Sequence, residues 1–252
     1  MKQPDCLLDE NTSVGLRGGS PAPTGRKLLA GRSRELLRGR WRGLLAWCAV
    51  LAGLLVLALV IRHTFLRRHA WFVPINYDQA SYLAESYACY DRLQHQGLVE
   101  GIIEVASRHQ PTGALMPWLS TILFAIFGPG RMTAVTLNLF FFFGLQLTLA
   151  FTLRWASGRW STTLYGLGLL LSALTPYFWA GGIMDLRLDF IVFCVYGIFL
   201  CLVLRSGFFQ SWRWSLAAGG VAGFLAGFRY ITGVYLAGFL VICFAVTLLR
   251  PM

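Results

Sequence analysis

The chain has 252 residues, of which 56% are hydrophobic and only 13% charged, about half the charged share of an average soluble domain. Apolar runs of about 18 residues or more, long enough for a hydrocarbon core about 30 Å thick, recur along it. A soluble globular domain, a disordered protein and a disulfide scaffold are excluded, and the composition implies an all-α, multi-pass membrane protein. The net charge of +11 does not point to nucleic acid, because the basic residues cluster beside apolar stretches. The six cysteines form no CxxC pair and mostly lie inside apolar runs, where they act as small hydrophobes.

Residues 1 to 42 read as a basic, largely disordered cytoplasmic tail rich in Gly, Ser, Pro and Arg. Its cluster Arg26, Lys27, Arg32, Arg34, Arg38, Arg40 and Arg42 directly precedes the first apolar stretch. Such a flank lies on the cytoplasmic side, against anionic membrane lipid. Leu44 to Ile61 is the first span, a retained anchor that opens a membrane module over residues 43–252. An integral protein of the plasma membrane with a cytoplasmic N-terminus is expected.

Residues 62–131 form the first outer loop. Asn76 is positioned to cap a helix whose third residue is Gln79. On that helix Asp78, Tyr82, Glu85 and Cys89 fall on one face, and Tyr77, Tyr82, Tyr87 and Tyr90 supply rings suited to headgroup level. An interfacial helix on the outer surface follows. Gly113 to Phe127 is short for a crossing and carries Pro117, so it is expected to stay outside. Met132 to Leu153, Trp160 to Ala180 and Phe190 to Leu204 are further spans, and Trp214 to Met252 is a Gly-rich pair of helices interrupted at Arg229-Tyr230. About six spans result. This arrangement puts Arg154, Arg159, Arg205, Arg213 and Arg250 on the cytoplasmic side, as basic-residue bias requires.

Beyond the tail, acids occur only in the outer loop (Asp78, Glu85, Asp91, Glu100, Glu104) and at Asp185 and Asp189. Both places face the outer compartment in the arrangement above. A carboxylate at a membrane surface can take a proton from a hydroxyl, orient it, or bind a divalent cation. Simpler readings account for the same residues: a helix dipole favours Asp78, and an ion pair with Arg187 would explain Asp185 and Asp189. No histidine spacing suggests zinc, and no protein metal site is expected. The glycines of AAGGVAGFLAG suit close helix packing, and the Phe140–Phe143 run suits lipid or core contact.

The stretches NYDQASYLAESY, QPTGALMPWLSTILFAIFGPGR, TPYFWAGGIMDLRLDFIVFCVYGIF and GFLAGFRYITG together resemble polyprenyl-phosphate-dependent glycosyltransferases of the GT-C superfold. The likeness is to the protein O-mannosyltransferase and aminoarabinose transferase type, over roughly residues 45 to 250. It implies sugar transfer from a polyprenyl-phosphate donor to an acceptor hydroxyl on the non-cytoplasmic face. By that resemblance Asp78 is the general base, Asp189 (or Asp185, its rival by spacing from Pro176) a second catalytic acid, and Arg187 and Arg229 hold phosphate, with Tyr82 and Glu85 beside them. Gln79 stands where the family carries a second acid after the first. The family's members have eight or more spans, so a further C-terminal segment or a partner subunit is expected to complete the enzyme. No cofactor is implied beyond a divalent cation that the carboxylates could accept. The alternative from another class is a non-catalytic scaffold or transporter subunit; the near absence of polar residues inside the spans argues against transport.

Overall fold

The computed structural model describes residues 25–68, 77–97, 99–100, 103, 115–173, 182–183 and 185–248. These form eight helices and no strand: α1 (Gly25–Arg68), α2 (Tyr77–Gln96), α3 (Leu115–Phe127), α4 (Arg131–Ser157), α5 (Trp160–Ala173), α6 (Leu188–Arg205), α7 (Trp212–Phe228) and α8 (Tyr230–Leu248). The all-α expectation holds. Two compact units divide the chain, Met1–Val50 and Leu51–Met252. In the first, α1 begins at Gly25, inside the stretch expected to be disordered. Past Pro23 that stretch holds Leu, Lys, Arg, Ala and Glu and no proline, a composition with good helix propensity. Residues 1–24, Asn76, Glu104 and Pro176 lie outside the described residues.

Three segments are long and apolar enough to cross a membrane: Gly43–Thr64 in α1, Arg131–Ser157 and Leu188–Arg205. This is a membrane protein. The count of six is not reached among the described residues, because Leu115–Phe127 and Ile231–Ala245 are shorter apolar helices and α5 has only 14 residues. At 1.5 Å per residue, α3 with its 13 residues spans about 20 Å, well short of the hydrocarbon core.

In the second unit α4 packs on α3, α5 and α6, α6 packs on α7, α7 on α8, and α2 lies along α3. Gly128 ends α3: at φ +85° its N–H reaches the Phe124 carbonyl at 2.9 Å, a left-handed cap that Pro129 then reinforces. The core is aromatic. Phe124, Phe142, Phe190, Phe199 and Phe228 are fully buried, with ring centroids 5.9 Å apart for Phe142–Phe190 and 5.0 Å for Phe224–Phe228. Offset and edge contacts of this kind suit the ring quadrupoles. In the Phe140–Phe143 run, Phe142 enters this core while Phe140 is exposed.

The tightest glycine contacts lie outside AAGGVAGFLAG, where Gly227 alone has a neighbour, Leu115 Cδ2 at 3.5 Å from an added Cβ. A Cβ on Gly219, Gly220 or Gly223 would meet nothing within 4 Å. One on Gly197 of α6 would stand 2.6 Å from Leu145 Cδ1 of α4, and one on Gly144 of α4 would stand 3.3 Å from Ile198 Cδ1 of α6. Each helix thus offers a notch to the other's branched side chain. Repetition of glycine in the sequence pointed to α7, but what matters is whether a neighbour comes close.

Candidate functional site

On α2 the buried stripe is Gln79, Tyr82, Ser86 and Cys89, offset from the face expected to hold Asp78, Tyr82, Glu85 and Cys89. Asp78 is exposed and Glu85 half-buried at the edge of that stripe. The offset follows from the partner helix: Thr121 Oγ1 of α3, which donates to the Pro117 carbonyl at 2.9 Å, comes within 3.4 Å of the Ser86 carbonyl, and Tyr87 stacks on Phe124 at 5.2 Å. Gln79 is buried by the same packing. Its Oε1 accepts a hydrogen bond from Arg131 Nη2 at 3.1 Å, joining the start of α2 to the start of α4.

Asp185 and Arg187 lie in the short turn that leads into α6. Asn138 of α4 fixes this turn by donating from Nδ2 to two carbonyls, Ile183 at 3.0 Å and Asp185 at 2.8 Å. The Asp185 side chain is 3% exposed and its Oδ2 pairs with Arg187 Nε at 3.1 Å. Arg187 Nη2 also reaches Asp78 Oδ2 at 3.8 Å, where the carboxylate side chain is 60% exposed. A single guanidinium therefore bridges one buried and one open carboxylate from distant parts of the chain.

A second pair stands beside the first. Arg229, extended between α7 and α8 at φ −158°, donates from Nη1 to Asp189 Oδ1 at 3.0 Å in the first turn of α6. Tyr82 lies within the field of both groups. Burial pushes its phenol up, Arg229 opposes this, and Asp78, Asp189 and Glu85 add to it. The hydroxyl therefore stays protonated, able to donate, through neutral pH.

The structure brings together Asp78, Asp185 and Arg187, and separately Asp189 and Arg229, with Tyr82 between them in electrostatic terms. Glu85 has no ion-pair partner among the described residues. Asp91 instead faces His95 at 3.4 Å, with both side chains 75% exposed. Among the described residues no three His, Cys, Asp or Glu come together as a metal cage. Each of the three aspartates lies beside a guanidinium group.

Of the supporting residues, Asn138 escaped the sequence reading altogether, while Gln79 and Arg131 stood in it without the hydrogen bond that joins them. Asn138 carried a usable signal, as an amide inside an otherwise apolar span is costly unless bonded. Gln146 is a further departure from the expected bare span interiors. It is fully buried, and neither amide atom has a hydrogen-bond partner among the described residues.

From Asp189 an open apolar cleft of about 750 Å³ runs between α6 and α8, past Phe193, Tyr196 and Gly197 to Phe239 and Ile242. Asp189, Thr232, Tyr196 and Tyr235 are the lining residues that carry polar side-chain atoms. Compared with family models, curated proteins and solved structures, the chain matches none.

Proposed function

We propose that the chain is an integral-membrane glycosyltransferase module using a sugar carried on a polyprenyl phosphate. The observation that supports this reading most is the open Asp78 carboxylate, held beside an arginine that a buried Asp185 anchors. The apolar cleft that opens at Asp189, next to Arg229, has the length and lining to accept a prenyl chain with its phosphate at the charged end. The acceptor hydroxyl attacks the anomeric carbon as its proton passes to Asp78, and the bond from that carbon to the phosphate oxygen breaks. Negative charge then gathers on the departing lipid phosphate, where the planar forks of Arg187 and Arg229 are suited to receive it. Tyr82 donates a hydrogen bond to the sugar or phosphate, and Asp189 orients Arg229. One displacement inverts the sugar carbon.

In this reading the site faces the non-cytoplasmic side of a plasma membrane, with the N-terminus in the cytoplasm. The span count reaches about six when α5 and the broken α7–α8 pair also cross. The test is sugar transfer from a radiolabelled polyprenyl-phosphate sugar in reconstituted membranes. Asp78→Asn is expected to cut turnover at least about a hundredfold, the usual weight of a general base, with insertion unchanged. Undiminished transfer in that variant would refute the assignment and favour a non-catalytic scaffold.

A further inference from the structure

The end of the bundle opposite the aspartates has its own chemistry. Arg131 and Arg154 stand at opposite ends of α4, about 35 Å apart at 1.5 Å per residue, and Asp189 and Arg205 mark the two ends of α6. At the far end Arg205 lies with its guanidinium carbon 4.0 Å over the Trp214 ring and 5.8 Å from the Trp155 ring. Arg154 stacks 5.3 Å over Trp160, and Arg213 5.8 Å over Trp212. The one acid on the helices that meet here is Asp189, at the opposite end of α6: residues 131–184 and 190–252 contain no Asp or Glu. The Arg205 Nε is buried and has no hydrogen-bond partner among the described residues.

Helix dipoles do not neutralise this charge. The C-termini of α4 and α6 each contribute roughly −0.5, and the N-termini of α5 and α7 roughly +0.5 each, so the four cancel. The charge of Arg154, Arg159, Arg205 and Arg213 remains. The N-cap of α7, Ser211, makes no side-chain cap bond, so the first N–H groups of that helix add an anion-facing surface beside Arg205.

Two features suit lipid surroundings. Trp155 and Trp212 are 59% and 70% exposed, the habit of rings at a membrane–water boundary. The membrane-length helices α4 and α6 both end at this level. A tight turn joins α6 to α7 between Arg205 and Arg213. Gly207, Phe208 and Phe209 all have left-handed φ, at 63°, 58° and 70°, stabilised by Ser206 Oγ accepting from the Phe209 N–H at 2.8 Å.

We infer that this end binds the phosphodiester headgroup of an anionic phospholipid, with Arg205 as its anchor between two tryptophans and Arg213 and Arg154 at the rim. A guanidinium stacked on indole keeps its donor edge free for two phosphate oxygens. The site is independent of the sugar-transfer reading.

Native mass spectrometry of the full chain, released from bilayers of equal phosphatidylglycerol and phosphatidylcholine, tests it. The wild type is expected to retain phosphatidylglycerol preferentially, and Arg205→Gln to lower that retention about fivefold, as loss of one basic contact at a membrane surface implies. If Arg205→Gln does not fold, the exposed Arg213→Gln, combined with Arg154→Gln, is expected to give a similar loss. Equal retention of the two lipids by the wild type would overturn the proposal, as would undiminished phosphatidylglycerol in a folded variant. Excess inorganic phosphate is expected to leave the lipid in place; displacement by it would overturn the assignment to a lipid headgroup.

Discussion

The two ends of the helical bundle are built from the same cation and opposite company. At one end Arg187 and Arg229 meet aspartates, and one of those carboxylates is buried. At the other, Arg205, Arg154 and Arg213 lie over indole rings, with no ion-pair partner among the described residues. An arginine with a carboxylate beside it is spoken for until a competing anion arrives, whereas an arginine on a ring keeps its hydrogen-bond donors. The first arrangement suits a site where charge develops during a reaction, and the second suits steady retention of an anion.

The largest effect on stability is expected at Asp185. Asp185→Ala removes the buried partner of Arg187 and is expected to cost about 3 kcal/mol or more, read as a lowered unfolding midpoint in detergent. The exposed pair gives the contrast. Asp189→Asn, with side chains 39% and 55% exposed in its pair with Arg229, is expected to cost less than about 1 kcal/mol. Equal costs would mean that the buried and open pairs do not differ as described.

Between these lie two amides on α4. Asn138→Leu breaks both bonds to the turn before α6 and is expected to destabilise by about 1–3 kcal/mol. Gln146→Leu removes a buried amide that has no partner among the described residues, and is expected to raise the unfolding midpoint. Opposite signs in one helix are the check. Smallest is a pH effect. Because the Tyr82 phenol is pushed up, it favours the fold below the ordinary tyrosine value of about 10, and that contribution fades as pH rises through the folded value. Tyr82→Phe is expected to flatten this alkaline fall in a pH series of unfolding midpoints.

The helices were legible where hydrophobic runs were long, as at Leu188–Arg205, and at the break on Arg229, where a charge interrupts a glycine-rich apolar stretch. That acids would gather near Asp78 and Asp185 was also legible, because charge is so scarce in this chain. The contacts between them were not. Arg187 reaches Asp78 from a turn that Asn138 pins, and that turn depends on how α4 packs against α6. The offset of the α2 face likewise comes from α3, which supplies Thr121 and Phe124; spacing along α2 alone leaves the rotation open by about one position. The packing glycines were misplaced for the same reason, since Gly144 and Gly197 are isolated in sequence and meaningful only as a pair.

That pair has a consequence for the surrounding bilayer. Asp189 and Arg205 lie about 24 Å apart along α6 at 1.5 Å per residue, less than the usual 30 Å of hydrocarbon. With Leu145 and Ile198 seated in the opposing notches, α6 cannot tilt or slide to relieve the mismatch without carrying α4 along. α4, with about 35 Å between Arg131 and Arg154 at 1.5 Å per residue, exceeds that thickness, so the two locked helices meet the bilayer with mismatches of opposite sign.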